Sequence, residues 1–210
     1  MLKYCVEMPK KKRGKKGLLA VISGPSGVGK STVVRRLLKI SPELKMSVST
    51  TTRSPRPGEV NGEHYHFVKK AEFDQKVKQD KFLEWAKVHG SYYGSPIEPV
   101  KKALAEGKTL VLEVDVQGAA SIRQYIQEGK LKASVVFIFL IPPSVDILAF
   151  RLKKRKTEDE EVVNYRLRAA IAELQVMEKY DYIVVNDRVE SASDKIRAII
   201  NVEKERTLLN

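Results

Sequence analysis

The most specific chemical signal in the chain is an eight-residue segment, Gly24–Ser31, which matches G-x-x-x-x-G-K-[ST] at every fixed position. Its glycines let backbone N–H groups turn inward around phosphate oxygens, where side chains would interfere. Lys30 supplies a positive charge to the outer phosphates of a nucleotide, and the Ser31 hydroxyl can ligate Mg²⁺. The motif predicts a phosphate-binding loop, but GTPases, helicases and small-molecule kinases all use such a loop.

The elements around this loop have the order that the motif requires. Leu18–Ser23 is a short apolar run, typical of a strand buried on both faces. After the loop, apolar residues recur at helical spacing from Val33 to Leu38, and Pro42 helps to end that helix. The helix would present its N-terminal dipole to the bound anion. A strand, loop and helix in this order support the prediction of nucleotide-phosphate binding.

The rest of the chain alternates between strands and helices. Strands are predicted at Thr109–Val114, Ser134–Ile141 and Tyr182–Val185. Helices are predicted at about Ile97–Glu106, Ala119–Gln127, from about Val145, at Glu160–Lys179 and at Ala192–Glu205. This alternation predicts an α/β fold with a parallel sheet covered on both faces.

Two segments interrupt this rhythm. Residues 48–96 are rich in Ser, Thr, Arg, Pro and Gly, and predict small antiparallel strands with turns at Pro55–Gly58 and Asn61–Gly62. Within them we predict a helix at about Ala71–Asp80 and a turn-rich end at Tyr92–Pro96. Residues 151–166 form a strongly charged second insert.

Composition narrows the class of protein. The 210 residues are 42% hydrophobic and 31% charged, which suits one soluble globular domain with insertions. The net charge is +13, of which +6 falls in residues 1–16, so we expect a basic, disordered tail and a moderately basic body. No apolar run is long enough to cross a bilayer, and the tail lacks the apolar region of a secretory signal. A single cysteine, Cys5, makes a reducing cytosol the default location.

Beyond the phosphate loop, the sequence resembles the guanylate kinase family from about Leu18 to Glu205. The markers are the block Ser49–Tyr65, Glu84-Trp85, Tyr92–Ser95, Asp115–Gly118, the arginines Arg151, Arg155 and Arg166, and Val185–Asp187. The resemblance implies a P-loop kinase with a parallel sheet core, a small GMP-binding insert and a helical lid. It implies the reaction ATP + GMP ⇌ ADP + GDP with Mg²⁺ as cofactor, and dGMP as a further acceptor because no residue that can be read contacts the 2′-hydroxyl.

The resemblance also implies an acceptor site. Residues matching Arg53, Arg56, Tyr65 and Tyr93 hold the acceptor phosphate, with guanidinium and phenol donors that suit a dianion. Residues matching Ser49, Glu84, Ser95 and Asp115 read the guanine. A carboxylate accepts from guanine N1–H and N2–H₂, whereas adenine has an acceptor at N1 and no N2 amine. Each residue also has an ordinary structural interpretation, such as a surface carboxylate for Glu84 or a helix N-cap for Asp115; Glu113, on the same strand, has no assigned role.

The donor site and the lid follow from the same resemblance. Arg151, Arg155 and Arg166 match arginines of a mobile lid, which with Lys30 and Arg53 form the predicted catalytic set; a basic helix face paired with Glu158–Glu161 is the alternative. The predicted ATP-binding residues are Gly24, Pro25, Ser26, Gly27, Val28, Gly29, Lys30, Ser31, Thr32 and Asn186, although Asn186 could equally form a turn. The chain departs from the family where Lys154 and Lys156 flank Arg155 and where Arg188 follows Asp187.

These inferences give a domain description and three alternatives. The tail spans 1–16 and the catalytic domain 17–210, with its core at 17–47, 97–150 and 167–210, the GMP-binding insert at 48–96 and the lid at 151–166. A guanylate-kinase-like binding module, a kinase with another acceptor, and a nucleic-acid-binding protein are the alternatives. The intact Lys30 and Ser31 argue against the first, and Ser49, Glu84 and Ser95 against the second. The third rests only on charge, since the basic tail could bind polyanions nonspecifically.

Overall fold

A five-stranded parallel sheet forms the centre of the computed structural model, which describes residues 17–88, 90–153 and 160–209. Its strands lie in the order β2-β7-β1-β8-β9. Their bounds are β1 Leu18–Ser23, β2 Lys45–Met46, β7 Thr109–Glu113, β8 Ser134–Ile141 and β9 Tyr182–Val185. The helices are α1 Lys30–Ile40, α2 Lys70–Lys78, α3 Ile97–Ala105, α4 Val116–Gln127, α5 Val145–Lys153, α6 Glu160–Leu174 and α7 Val189–Leu209. The predicted α/β class with a parallel core is confirmed.

Strand β1 shows why the sheet is covered on both faces. Its alternate residues Leu18, Ala20 and Ile22 pack with α1 and α7 in one hydrophobic cluster. Leu19 and Val21 face the opposite way and pack with α3 and α4 in a second cluster. Because side chains alternate between the faces of a strand, a run that is apolar throughout requires two covered faces. The uninterrupted apolar runs of the central strands are therefore explained by the helices that cover both faces of the sheet.

The carboxyl ends of the parallel strands meet at one edge of the sheet, where ligands bind in open α/β folds. β1 leads directly into the Gly24–Ser31 loop, and its Ile22 pairs in register with Glu113 at the end of β7. β8 and β9 end together, with Ile141 opposite Val185. Topology thus gathers residues from distant parts of the chain around the phosphate loop.

A second, four-stranded sheet lies within the insert, in the order β4-β3-β6-β5. Its strands are β3 Thr50–Thr51, β4 His66–Phe67, β5 Phe82–Val88 and β6 Ser91–Pro96. β3 and β6 run antiparallel, as do β5 and β6, but β3 and β4 pair in parallel, which the prediction of antiparallel strands missed. The long connection over residues 52–65 allows this parallel pairing, because a tight hairpin cannot produce it.

The prediction of a turn at Tyr92–Pro96 was wrong, since these residues form β6. Gly94 and Ser95 have the composition of a turn, but pairing on both sides holds them in a strand: Thr51 lies opposite Tyr93, and Glu84 opposite Ser95. Aromatic rings support this sheet. The Phe73 and Phe82 rings stack with centroids 4.7 Å apart, and the ring of the half-exposed Trp85 lies 6.2 Å from that of Tyr92.

The predicted lid at 151–166 includes only parts of α5 and α6. These two helices pack against each other through a small cluster of buried side chains: Leu148 and Leu152 from α5, and Val163 and Ala170 from α6. The predicted helix Glu160–Lys179 is interrupted. α6 ends at Leu174, where the Gln175 N–H donates to the Ala172 carbonyl three residues back, and a short 3-10 helix follows at Met177–Lys179. Across the part of the chain that the structure describes, no helix is both long enough and apolar enough to span a membrane.

Candidate functional site

Backbone geometry sets the shape of the phosphate loop. Gly24, Gly27 and Gly29 have φ angles of 147°, 82° and 97°, which side chains rarely tolerate. Packing adds a second requirement. A Cβ on Gly24 would lie 2.4 Å from the Leu140 carbonyl oxygen, and one on Gly27 would lie 2.7 Å from Leu152 Cδ2 of α5. The motif glycines therefore meet both a conformational need and a close approach of neighbouring elements.

Lys30 and Ser31 begin α1 at the mouth of the loop, followed by the exposed Thr32. The Lys30 ammonium donates to the Gly24 carbonyl at 2.6 Å and to the Pro25 carbonyl at 3.2 Å, so its charge lies over the loop. The Ser31 hydroxyl donates to Glu113 Oε1 at 2.6 Å. Burial raises the pKa of Glu113, and the hydrogen bond from Ser31 partly offsets that rise. A hydroxyl and a carboxylate side by side form an oxygen set that suits Mg²⁺.

The carbonyl of the buried Val28 accepts hydrogen bonds from two predicted site residues, the ATP-binding residue Asn186 and the lid arginine Arg151. The Asn186 amide donates to it at 2.7 Å, and Arg151 Nη1 donates at 3.2 Å. Arg151 also reaches the Asn186 carbonyl through Nη2 at 3.0 Å. Asn186 is only 3% exposed. In this arrangement both side chains brace the loop backbone, at the end of β9.

Ser26, at the tip of the loop, contacts helix α6 in two ways. Its backbone N–H donates to Glu173 Oε2 at 3.0 Å, and its hydroxyl accepts from Arg166 Nη2 at 3.1 Å. Arg166 is 6% exposed, so its guanidinium is held inside the interface between lid and loop. Arg155, the third predicted lid arginine, lies outside the described residues, together with Lys154 and Lys156.

A buried carboxylate lies in the small sheet of the insert. Glu84 on β5 is 8% exposed, and the Ser95 hydroxyl on β6 donates to its Oε1 at 2.5 Å. Burial, as the main cause, raises the pKa of Glu84 to about 7, and the negative charge of Asp115 adds to the rise. A Cβ on Gly118 would lie 2.9 Å from Glu84 Oε2, so the absence of a side chain there lets α4 approach the carboxylate. A group with this pKa and burial is typical of a binding site.

Asp115 is the N-cap of α4, and its side chain accepts from the Gly118 N–H at 2.7 Å. The cap is the ordinary structural role considered for this residue, and it coexists with a position close enough to Glu84 to raise the pKa of that carboxyl. Ser49 immediately precedes β3, where its carbonyl accepts from the His66 N–H at 2.9 Å. The structure thus brings Glu84, Ser95 and Asp115 together and places Ser49 at the start of a strand in the same small sheet.

The predicted phosphate ligands of the acceptor form a second group in the insert. The Tyr65 and Tyr93 rings meet edge to face, 6.0 Å apart, and Arg53 Cζ lies 5.4 Å from the Tyr65 centroid. Burial raises the pKa of Tyr65, and the charge of Glu113 contributes next. Glu113 therefore lies within electrostatic reach of both the phosphate loop and this group. Arg56 is exposed, in the turn that ends at Glu59.

Three carboxylates in these contacts were not among the predicted site residues: Glu59, Glu113 and Glu173. Glu113 could have been predicted from the sequence, since it ends a strand adjacent to β1 and precedes Asp115 by two positions. Glu59 lies inside the arginine-rich block, but its partner could not be read from spacing. Glu173 had no signal, because Ser26 is 147 positions away in the chain.

Comparisons with known proteins give the family of this chain. The guanylate kinase family model matches residues 16–203. A guanylate kinase from Caldanaerobacter subterraneus subsp. tengcongensis is 50% identical over 190 residues, covering 90% of this chain and 89% of that protein. One from Desulfitobacterium hafniense is 47% identical over 188 residues, covering 90% and 91%.

A solved structure adds evidence for the fold. The crystal structure of guanylate kinase from Anaplasma phagocytophilum superposes with a TM-score of 0.74 at 32% identity, covering 93% of this chain and 90% of that one. The family match begins two residues before β1 and ends within α7, so it includes the phosphate loop and the segments 48–96 and 151–166. On the extent of that match, the chain belongs to the guanylate kinase family.

Proposed function

We propose that this chain transfers the γ-phosphoryl group of ATP to GMP, giving ADP and GDP, and that dGMP is a second acceptor. The observation that carries the proposal is the buried Glu84–Ser95 pair, which lies in an insert beside a complete phosphate loop. Glu113 supports the pairing of the two sites, because it accepts from Ser31 and also raises the pKa of Tyr65. A donor site and an acceptor site that share one neighbouring carboxylate suit phosphoryl transfer between two nucleotides.

Guanine complements the Glu84–Ser95 pair. A carboxylate at Glu84 accepts from N1–H and N2–H₂, while a hydroxyl such as Ser49 or Ser95 can donate to O6. Adenine would place the N1 lone pair against the buried carboxylate and leave it unpaired. Sites that bind by buried hydrogen bonds reject such a mismatch by about 10⁴-fold in favourable cases. Glu84 therefore explains base selection in the proposed reaction.

Phosphoryl transfer requires positioned positive charge more than a general base, because the acceptor phosphate is already an anion. We assign this task to Lys30 at the donor phosphates, Arg53 at the acceptor phosphate, and the lid arginines Arg151, Arg155 and Arg166. Mg²⁺ would be held by Ser31 with Glu113 beside it, and when bound it neutralises charge on the donor phosphates. Among the described residues no cluster of three or more His, Cys, Asp and Glu side chains could hold a metal, which suits an ion held largely by substrate and water.

We further propose that the insert at 48–96 and the lid at 151–166 close over the substrates and exclude water, which limits ATP hydrolysis. The contacts of α6 with Ser26 support a lid that responds to the state of the loop. Asn186 would lie near the donor adenine. We propose the cytoplasm as the site of action, since ATP and GMP are available there, and assign no catalytic task to the basic tail.

The test is ADP production by the full-length protein with ATP and Mg²⁺, measured in parallel with GMP, dGMP, AMP, CMP and UMP. We expect turnover with GMP and dGMP only. Lys30→Ala should lower kcat by about 10²-fold or more, because it removes a positioned charge. Glu84→Gln should raise KM for GMP by about 10²-fold, since its amide cannot accept from two donors.

Matched variants separate these effects from general loss of charge. Lys39→Ala removes an exposed lysine from the other end of α1, and Glu98→Gln neutralises an exposed acid on α3. Both should retain parental kinetics. Turnover with a different monophosphate would contradict the base assignment, and a folded protein without turnover on any acceptor would favour a binding module.

A further inference from the structure

Glu59 makes a two-point contact with a predicted phosphate ligand. Arg53 Nη1 donates to Glu59 Oε2 at 2.8 Å, and Nη2 donates to Oε1 at 2.9 Å. The same Oε2 accepts from the backbone N–H of Arg56 at 2.7 Å. One carboxylate therefore contacts two residues that the proposed function places at the acceptor phosphate.

We propose that Glu59 is a positioning residue for the acceptor phosphate: it fixes the end of the Arg53 guanidinium so that the side edge of that group faces the phosphate of GMP. The inference rests on the proposed function, in which Arg53 binds that phosphate. It adds the residue that orients Arg53, which neither the motif nor the comparisons assign.

The hydrogen-bond inventory of Arg53 supports this arrangement. A guanidinium has five N–H donors. Nη1 uses one on Glu59 and another on the Ser54 carbonyl at 2.7 Å, and Nη2 uses one on Glu59. The N–H of Nε and the second N–H of Nη2 lie along the remaining edge, and the Tyr93 side chain is the further hydrogen-bonding neighbour of the guanidinium. Those two parallel donors match two phosphate oxygens in the side-on geometry that arginine uses for bidentate recognition.

Aromatic rings hold the other faces of the guanidinium. Arg53 Cζ lies 5.4 Å from the Tyr65 centroid and 5.7 Å from that of Phe67. Hydrogen bonding to Glu59 is the largest cause of the raised pKa of Arg53, and the Tyr93 side chain also raises it. Tyr65 and Tyr93 are the two phenols predicted to contact the same phosphate. Glu59 thus holds the end of the Arg53 guanidinium, while the aromatic rings lie near its faces.

The Glu59 carboxyl group stays ionised, so it can always pair with Arg53. Its hydrogen bonds to the Arg53 side chain, above all, and to the Arg56 backbone lower the pKa of its carboxyl to about 2. The carboxylate is therefore charged at any pH where the protein works. The Glu59 N–H also donates to the Arg56 carbonyl at 3.0 Å, which makes the carboxylate part of the turn that carries both arginines.

A competing interpretation gives Glu59 the opposite effect. A carboxylate against Arg53 could occupy the phosphate position and have to leave before GMP binds. In that case removing its charge would strengthen GMP binding, whereas removing the charge of a positioning residue would weaken it. The sign of the change separates the two.

The experiment measures steady-state kinetics of the full-length protein and of Glu59→Gln with GMP, and equilibrium binding of GMP and of guanosine. The glutamine retains size and an acceptor for Arg56 but lacks the charge that pairs with Arg53. We expect KM for GMP to rise about tenfold, with kcat and KM for ATP within about twofold. Guanosine, which has no phosphate, should bind both proteins equally.

Controls make the result specific. Glu63→Gln removes the same charge from an exposed site four positions away and should leave KM for GMP unchanged. If Glu59 acts through Arg53, Glu59→Gln should raise KM for GMP by less than about twofold in an Arg53→Lys background. A lysine has a single ammonium group and no planar guanidinium for Glu59 to orient. Should Glu59→Gln fail to fold, Glu59→Asp, which retains the charge on a shorter arm, should give an intermediate rise.

Three results would overturn the inference: an unchanged KM for GMP in Glu59→Gln, a lowered KM, or an equal loss of guanosine binding. The lowered KM would identify Glu59 as a competitor of the phosphate, and the loss of guanosine binding would reduce it to a structural residue of the turn. None of these results touches the proposed function, which fails instead if the unmodified protein does not phosphorylate GMP.

Discussion

The phosphate loop and the acceptor insert hold their polar groups in different ways. At the loop, three of the predicted site side chains bond to backbone carbonyls: Lys30 to Gly24, and Asn186 and Arg151 to Val28. In the insert, the predicted base and phosphate ligands pair instead with carboxylates, as Ser95 does with Glu84 and Arg53 with Glu59. The loop is therefore defined by backbone shape and the insert by side-chain chemistry. Changes to backbone geometry should damage the first, and changes of charge should damage the second.

The largest effect should come from the loop backbone. Gly24→Ala places a Cβ 2.4 Å from the Leu140 carbonyl oxygen at a φ of 147°, so β8 or the loop must move. We expect kcat/KM to fall by about 10³-fold or more, measured in the coupled assay, with a lower melting temperature.

Gly129→Ala is the matched control, because it has a φ of 72° and nothing within 4 Å of the added Cβ. It should cost about 1 kcal/mol of stability through backbone strain and leave kinetics unchanged. If Gly24→Ala also left kcat/KM unchanged, the function of the loop would not depend on its backbone shape, and the contrast with the insert would be wrong.

A smaller effect, about tenfold per pH unit, should appear in the insert because the pKa of Glu84 is about 7. In the proposed function GMP binds the carboxylate form of Glu84, so its affinity should fall as pH decreases below 7. Stability of the ligand-free protein should change in the opposite direction. The folded state holds a proton on Glu84 that the unfolded state, with a pKa near 4.5, releases; hence stability falls as pH rises from 4.5 to 7, by on the order of 3 kcal/mol.

Isothermal titration with GMP and thermal unfolding, both from pH 5 to 8, measure the two trends. Glu84→Gln is the reference, because it retains every other titrating group, including the phosphate of GMP. The difference between the two proteins isolates the carboxyl. If the stability of the ligand-free protein and of Glu84→Gln changed equally between pH 5 and 8, the pKa of Glu84 would not be raised. The view that side-chain charge defines the insert would then be wrong.

The smallest change in kcat should come from Glu173, where a side chain contacts the backbone of the phosphate loop. Glu173 is a side chain that accepts from the loop backbone at Ser26. Glu173→Gln retains an acceptor oxygen but weakens the hydrogen bond, so kcat should fall about three- to fivefold with KM for GMP unchanged. Glu178→Gln, an exposed acid in the following 3-10 helix, is the control. A change in KM for GMP would show that the two regions are not separable.

This contrast also explains what the sequence could predict. The loop and the strands Leu18–Ser23, Ser134–Ile141 and Tyr182–Val185 were predicted at the bounds observed, because apolar runs and a glycine motif are local signals. The sheet of the insert was predicted poorly: Tyr92–Pro96 has the composition of a turn, and only pairing with β3 and β5 makes it a strand.

For the site as well, residues within sequence motifs were predicted and contacts made through the fold were not. Lys30 lies over the loop that its motif predicts, and Glu84, identified through the family resemblance, is buried beside Ser95. The supporting carboxylates Glu59 and Glu173 were not foreseen, because hydrogen-bond partners depend on how loops and helices meet in three dimensions. Arg151 and Asn186 show a further limit, since both brace the Val28 carbonyl, a contact that no spacing reveals.

The position of Trp85 has a practical consequence. It is the chain's single tryptophan, and it follows Glu84 on β5 with its half-exposed ring 6.2 Å from that of Tyr92. Intrinsic fluorescence excited at the red edge of the absorption band therefore comes from the insert and not from the core or the lid. The protein carries its own optical probe of the insert, and stopped-flow mixing with GMP can time the proposed binding there without a label.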